Sequence, residues 1–264
     1  MTNSVKIQFA SDLHLEFKFK LNILSNQSNI EILCLLGDIC VCGVDEDWTK
    51  YTTFIKHVST KYKHIILITG NHEYYTNKKS GNQSIQKINL KIKQFTQTLP
   101  NVHFLNNEIF QLNINNKDII FLGTTLWTFV DAQNKKFIQS TMNDYNNIFY
   151  NEKKFNIENM LSLHSDAVKF IEQNLSTYSK KPNQYIILLT HHKPIKGNIS
   201  NILSQAYESD IKALQKYKQI IDIAAHGHTH KHMNELIDEI MIISNPKGYP
   251  NQQTKFIKNF SITL

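Results

Sequence analysis

Five apolar runs of strand length each end in a short polar island, and that repetition constrains the fold of this chain more than any other feature. Val5–Phe9 leads into Asp12-Leu13-His14, and Ile30–Leu36 into Gly37-Asp38. His64–Thr69 leads into Gly70-Asn71-His72-Glu73, Tyr185–Thr190 into His191-His192, and Ile220–Ala225 into His226-Gly227-His228-Thr229-His230. Runs of about five to seven residues are too short for buried helices and suit strands covered on both faces. Between the second and third runs, Trp48, Tyr51, Phe54, Ile55 and Val58 recur at helical spacing. Strand–helix–strand is the unit of a parallel sheet, so periodicity alone predicts an α/β protein with a mainly parallel sheet.

The rest of the chain fits one domain spanning 1–264. Ser84–Thr98 is amphipathic and helical in period, and Pro100 ends it. Val102–Leu105, Ile109–Ile114 and Asp118–Leu122 read as strands. The last two are joined at Asn115-Asn116, a pair that tolerates the left-handed backbone of a tight hairpin turn. Phe155–Leu175 and Ile202–Tyr217 are expected to be helices, and Glu239–Ser244 a strand. Periodicity is lost from Trp127 to about Asn151, which predicts a long surface insertion, a place where function often sits.

Composition removes several classes of function. The hydrophobic fraction of 41% in 264 residues supports a large core and argues against disorder. Net charge is +7, and every one of the 29 basic residues is Lys. That balance favours anionic partners. The absence of Arg, the usual fork for phosphate and base edges, weakens sequence-specific DNA binding. Cys34, Cys40 and Cys42 form neither a disulfide framework nor a zinc motif, so they read as free thiols in a reducing compartment. No signal-like segment and no apolar stretch near the ~20 residues of a membrane span is present, so a cytoplasmic location is expected, with no membrane partner.

The polar islands share one position, the loop after a strand, where open α/β sheets build their sites. Asp12 and His14 stand at i and i+2, and so do His228 and His230; in extended chain each pair points the same way. Each island alone has a mundane reading as a cap, a turn or a solvated side chain. His226–His230 is the strongest single signal, because buried imidazoles need partners and three in five residues are seldom structural. Of the adjacent pair, His191 lies nearer the strand end and is preferred over His192. Carboxylate, amide and imidazole donors together suit hard-to-borderline divalent metals.

The ordered set D-x-H, GD, GNHE, THH and GHTH resembles the calcineurin-like metallophosphoesterase superfamily, from Phe9 to about Tyr249. Phe9–Phe17, Gly123–Thr128, Met142–Tyr145, Tyr207–Asp210 and Ser244–Tyr249 resemble a subgroup of small bacterial-type phosphohydrolases. The resemblance implies a four-layer α/β/β/α sandwich and two divalent ions, Mn first, with Fe, Zn or Ni as alternatives. One ion is implied at Asp12, His14, Asp38 and His230. The other is implied at Asp38, Asn71, His191 and His228, with Asp38 shared. His72 is similar to the superfamily's phosphate-contacting histidine, the proton donor to the leaving oxygen. His192, Lys193, Trp127 and Tyr74 are candidate substrate contacts, and Lys193 or Lys247 could replace the missing Arg as a point charge. Cys40 stands where many relatives carry Asp, Asn or His.

The expected reaction is hydrolysis of a phosphomonoester or phosphodiester of a small molecule, by hydroxide activated between the two ions. The alternative is a nuclease, with a lysine-rich surface and Tyr74, Tyr75, Trp127 and Phe129 stacking on bases. A metal-binding scaffold without activity is the third option.

Overall fold

A computed structural model describes residues 4–26, 29–197 and 201–264. In chain order the strands and helices are β1 (Lys6–Ala10), β2 (Ile32–Leu36), α1 (Asp45–Ser59), β3 (His64–Ile68), α2 (Ile85–Thr96), β4 (Val102–Phe104), β5 (Glu108–Ile114) and β6 (Lys117–Thr124). Then come α3 (Lys135–Thr141), α4 (Asp144–Asn147), β7 (Phe149–Tyr150), β8 (Lys153–Lys154), α5 (Ile157–Leu175) and β9 (Gln184–Thr190). The chain closes with α6 (Lys212–Lys216), β10 (Ile223–His226), β11 (Met233–Ile237), β12 (Ile240–Ser244) and β13 (Ser261–Thr263).

The strands form two large sheets, ordered β13-β1-β2-β3-β4 and β11-β12-β10-β9-β6-β5. The inner pairings β1–β2, β2–β3, β6–β9, β9–β10 and β10–β12 are parallel, and β13, β5 and β11 are antiparallel. Strand alternation builds the layers. In β2, Ile32, Cys34 and Leu36 face the second sheet, while Leu33 and Leu35 face the helices outside the first. In β9, Ile187 and Leu189 face the first sheet, and Ile186 and Leu188 face outward. Helix α1 lays Tyr51, Phe54, Ile55 and Val58 on the outer face of the first sheet. Helix α5 buries Ala167, Ile171 and Leu175 on that of the second. The fold is therefore the four-layer α/β/β/α sandwich, with an apolar core between the sheets and another under each helical layer.

The hairpin at Asn115-Asn116 has both residues left-handed, at φ 52° and 61°, as its two-residue loop requires. Two expectations change. Ile202–Tyr217 is not one helix: a 3₁₀ turn at Ile202–Ala206 and the short α6 are separated by a segment whose Ser209 and Lys193 backbones pair. Residues 127–151 are not merely superficial, because Trp127, Val130, Ile138, Tyr145 and Ile148 are buried in the core beneath α1 and α2. No helix among the described residues is long and apolar enough to cross a membrane.

Candidate metal centre

The parallel register brings the carboxyl ends of β1, β2, β3, β9 and β10 to one rim. Backbone bonds stitch the loops together there. Asp12 N–H donates to Gly37 O, His14 N–H to Asp38 O, Gly227 N–H to His191 O and Gly248 N–H to Asp12 O. Gly37 and Gly70 allow the closest approach. A Cβ on Gly37, which sits at φ 82°, would lie 2.4 Å from Gly70 N, and one on Gly70 would lie 2.2 Å from Asp38 Oδ1. The glycines of the GD and GN islands are there because the loops touch through them.

The seven residues assigned to metal from sequence meet at this rim. Among the described residues, donor atoms of Asp12, His14 and His230 lie within 4.8 Å of one another, and so do those of Asp38, His191 and His228. Asp38 faces both groups: Oδ2 is 3.9 Å from His14 Nε2 and Oδ1 is 3.4 Å from His191 Nε2. His230 Nε2 stands 3.2 Å from Asp12 Oδ1 and 3.2 Å from His14 Nε2, and Asn71 Oδ1 stands 3.2 Å from His191 Nε2. Asp12 and His14 share one donor group, whereas His228 and His230 fall in different groups, and extended chain does not direct either pair. Asp12, His14, Asp38, His228 and His230 all have φ between 47° and 63°, so left-handed turns rather than extended chain aim these side chains inward.

The surroundings fix which imidazole nitrogen faces the cluster. His14 Nδ1 donates to Glu16 Oε1 at 3.1 Å, His191 Nδ1 to Leu36 O at 2.8 Å and His230 Nδ1 to Gln252 Oε1 at 2.6 Å, leaving each Nε2 turned inward. His228 is reversed: its Nε2 contacts Ala206 O at 3.3 Å, which leaves Nδ1.

The electrostatics call for cations. Burial would raise the Asp12 and Asp38 carboxyls, but His230 beside Asp12 and His191 beside Asp38 hold both below the usual carboxylate range. Burial would lower His191, and Asp38 reverses this, holding it up at about 10. Burial and the neighbouring His192 and His191 push His228 well down, so it stays a neutral imidazole, the form that binds metal. Two buried carboxylates ringed by imidazole nitrogens and one amide oxygen are a donor set that fits a pair of divalent ions, which would take the place of the protons on His191 and His230.

His72 lies beside this group. Its backbone N–H donates to Asp38 Oδ1 at 2.8 Å, Nδ1 donates to Glu16 Oε1 at 2.9 Å, and Nε2 lies 3.1 Å from the Tyr249 hydroxyl. Burial lowers its pKa, yet Asp38 and Glu16 outweigh burial and set it at about 9. Asp38, Asn71, His228 and His230 line a cleft of about 380 Å³ together with Tyr75, Asn143, Tyr207, Tyr249 and Gln252.

The four expected substrate contacts lie elsewhere. Trp127 and Tyr74 are 3% and 1% exposed. Trp127 packs on Phe155, and the Tyr74 hydroxyl bonds Thr69 and Asn89, so both are structural floor. His192 is buried behind His228, with its Nδ1 on Thr125 O. Lys193 pairs with Glu208 at 3.2 Å and opens on a separate cavity of about 600 Å³. Cys40 is buried outside the donor groups, with its thiol held protonated by burial.

Several residues at the site were not singled out from sequence. Glu16 bridges His14 and His72. Asp144, from the segment without periodicity, accepts from Asn71 Nδ2 and from the Tyr75 hydroxyl, both at 2.7 Å. Glu73 is fully buried and accepts from the backbone N–H groups of Asp38, Ile39 and Gly70 at 2.7–2.9 Å. Its place in the GNHE island was the signal available, since a carboxylate next to a ligand loop has few other uses.

Comparison with known proteins places this geometry in a family. The family model described as calcineurin-like phosphoesterase matches residues 5–232. An uncharacterised protein, L509, of Acanthamoeba polyphaga mimivirus is 32% identical over 276 aligned residues, covering 95% of this chain and 93% of the relative. Among solved structures, the phosphopantetheinyl hydrolase of Mycobacterium tuberculosis superposes with a TM-score of 0.74 at 14% identity, covering 95% of this chain and 92% of that one. A dimetal phosphatase from Danio rerio gives 0.52 at 11% identity, with 91% and 86% covered. At such identities these two show the shared fold. The matched family model and the mimivirus relative together establish that this chain belongs to the calcineurin-like phosphoesterases, a family of phosphoester hydrolases.

Proposed function

We propose that the protein hydrolyses a small-molecule phosphoester with two divalent metal ions held around Asp38. The observation that carries this is the position of Asp38, whose two carboxylate oxygens face separate imidazole groups at 3.9 and 3.4 Å. Asp12, His14 and His230 would hold one ion with Asp38; Asn71, His191 and His228 would hold the other. Bound there, the ions supply Lewis acidity and an activated water near neutral pH.

The chain's own residues do the rest. The cleft lined by Asn71, His228 and Tyr249, about 380 Å³, has room for a phosphoester beside Asp38. Glu16, by accepting from His72 Nδ1, leaves Nε2 on the side of Tyr249, a residue of the cleft, from which a protonated imidazole would deliver its proton to the departing oxygen. The Tyr249 hydroxyl, 3.1 Å from that nitrogen, orients the ring.

The relatives support this reading. One is named a phosphopantetheinyl hydrolase, one a dimetal phosphatase and one a putative 5′-nucleotidase from Staphylococcus aureus, and the last is about twice this chain's length. The nuclease alternative needs a row of accessible aromatics. Of the four named for it, Tyr74 and Trp127 are buried and Phe129 is outside the cleft lining, leaving Tyr75. Manganese is the metal to try first, and a cytoplasmic location fits three buried free thiols.

The test is a panel of monoesters, diesters, cyclic nucleotides and oligonucleotides with added Mn²⁺, run on the wild type and on His72→Ala. The wild type is expected to turn over a small ester. His72→Ala is expected to keep its metal and lose about 10²-fold or more in kcat. Full kcat in His72→Ala on every substrate would remove its assigned role.

A further inference from the structure

His14 also lines a second, smaller recess of about 220 Å³. Leu13 and Ile23, both buried, and the partly buried Phe256 form its floor. Lys18, Lys20, Lys247 and Lys258 stand around it, and no carboxylate lines it among the described residues. Four of its eleven lining residues are Lys, against 29 of 264 in the chain, an enrichment of about threefold over the composition that otherwise explains lysine here. Seven of the other lysines pair with carboxylates among the described residues, Lys50 with Asp47, Lys93 with Glu108, Lys135 with Glu158 and Lys193 with Glu208 among them. None of the four around this recess makes an ion pair among the described residues.

The recess and the metal centre share walls. His14 turns Nε2 to the cluster and lines the recess. The 248–252 loop gives Tyr249 and Gln252 to the catalytic cleft, and Gly248, Pro250 and Asn251 to the recess. Lys247 N–H donates to Ser11 O and Gly248 N–H to Asp12 O, so this loop is anchored on the same strand end that carries Asp12 and His14.

We propose that the recess binds a second phosphate of the substrate, so that the enzyme acts on small phosphoesters carrying two separate phosphate groups. The inference rests on the phosphoesterase reading above and adds the substrate class. Size supports one group rather than a whole ligand, because complete small-molecule pockets run to about 300–1,000 Å³. Charge supports phosphate over carboxylate: four ammonium groups outnumber what one carboxylate neutralises, whereas a phosphate carries close to two charges and three acceptor oxygens. Lysine, a mobile point charge, can converge on such a group without the planar fork of Arg, which this chain lacks.

The experiment compares 4-nitrophenyl phosphate, a nucleoside 5′-monophosphate, the matching nucleoside 3′,5′-bisphosphate and a short oligonucleotide. Each is assayed with Mn²⁺ on the wild type and on the Lys18→Gln/Lys20→Gln/Lys258→Gln variant. The wild type is expected to favour the bisphosphate over the monophosphate by about tenfold or more in kcat/KM, the worth of one charge-assisted contact, expressed in KM. The variant is expected to lose that preference while its turnover of 4-nitrophenyl phosphate stays within about twofold, which also reports an intact fold. A preference kept by the variant, no preference in the wild type, or an oligonucleotide cleaved faster than the bisphosphate would each overturn the inference. Calorimetric titration of the metal-free proteins with inorganic phosphate separates this from the parent reading. If the wild type hydrolyses nothing, the phosphoesterase reading falls. Phosphate binding by the wild type that is absent in the variant then still supports the recess, and no binding by the wild type removes it.

Discussion

Five of the residues that converge on the candidate metal centre hold left-handed backbone, a conformation that costs on the order of 1 kcal/mol or more for each non-glycine residue. A chain tolerates such a cluster where surrounding bonds over-determine it, and at Asp38 Glu73 supplies those bonds. Burial and the nearby Asp38 raise its carboxyl to about 7, yet it accepts three backbone N–H groups from the two loops it joins. A glutamine there has a single acceptor oxygen. Its amide nitrogen would then face a donor, Ile39 N–H or the Asp38 and Gly70 pair. Glu73→Gln is therefore expected to cost about 1–3 kcal/mol, read as a lower midpoint in urea unfolding, and an unchanged midpoint would show that the clamp carries no energy. Residue identity made a candidate donor set readable from sequence, because few other roles bring two Asp, one Asn and four His to strand ends. What could not be read was which groups surround them. Glu16 on His72, Asp144 on Asn71 and Gln252 on His230 set imidazole and amide orientations through contacts that span 22 to 73 positions, and no local pattern records those.

At the scale of elements, the buried parallel strands were legible because continuous apolar runs of their length have few alternatives. The stretch 202–217 was not, because its apolar spacing is helical while Lys193 and Glu208 form a bridge that breaks the helix between its two ends. Residues 127–151 hid their role for a related reason. They pack by single large side chains, Trp127, Ile138 and Tyr145, without the repeat that periodicity detects. One pairing of elements gives a pH-dependent test away from the metal centre. The edge strands β4 and β5 meet where the His103 ring stacks on Phe110, with centroids 3.7 Å apart, and His64 of β3 stacks beyond it. Burial, and then the charge of His64, push His103 down to about 4; burial and Lys63 lower His64. A folded-state pKa below the ordinary value of 6.5 means the unfolded chain binds more protons between these limits. The contribution of His103 is thus full above pH 6.5 and lost as pH falls toward 4. His103→Phe is expected to flatten the fall in stability across that window by up to about one proton of linkage. Denaturant titrations at several pH values would show it, and an identical slope in both proteins would contradict it.

Over the whole molecule, two sheets stacked face to face put five strand ends from two separate layers around one rim. Periodicity alone predicts a single parallel sheet, because strands with both faces buried look alike whether a helix or another sheet lies above them. The four-layer arrangement came through family resemblance, and the matched family model and the alternation of Ile32, Cys34 and Leu36 against Ile187 and Leu189 agree with it. The centre depends on this stacking. Asp12, His14, Asp38 and Asn71 follow strands of the first sheet, and His191, His228 and His230 follow strands of the second, so neither sheet holds a complete set. Asp38 is the group that faces both halves. The most direct measurement is metal content after dialysis, by inductively coupled plasma mass spectrometry, of wild type and Asp38→Ala loaded with Mn²⁺. Two ions per chain in the wild type and fewer than one in Asp38→Ala are expected. One ion or none in the wild type, or two retained without Asp38, would contradict a shared carboxylate at the heart of the site.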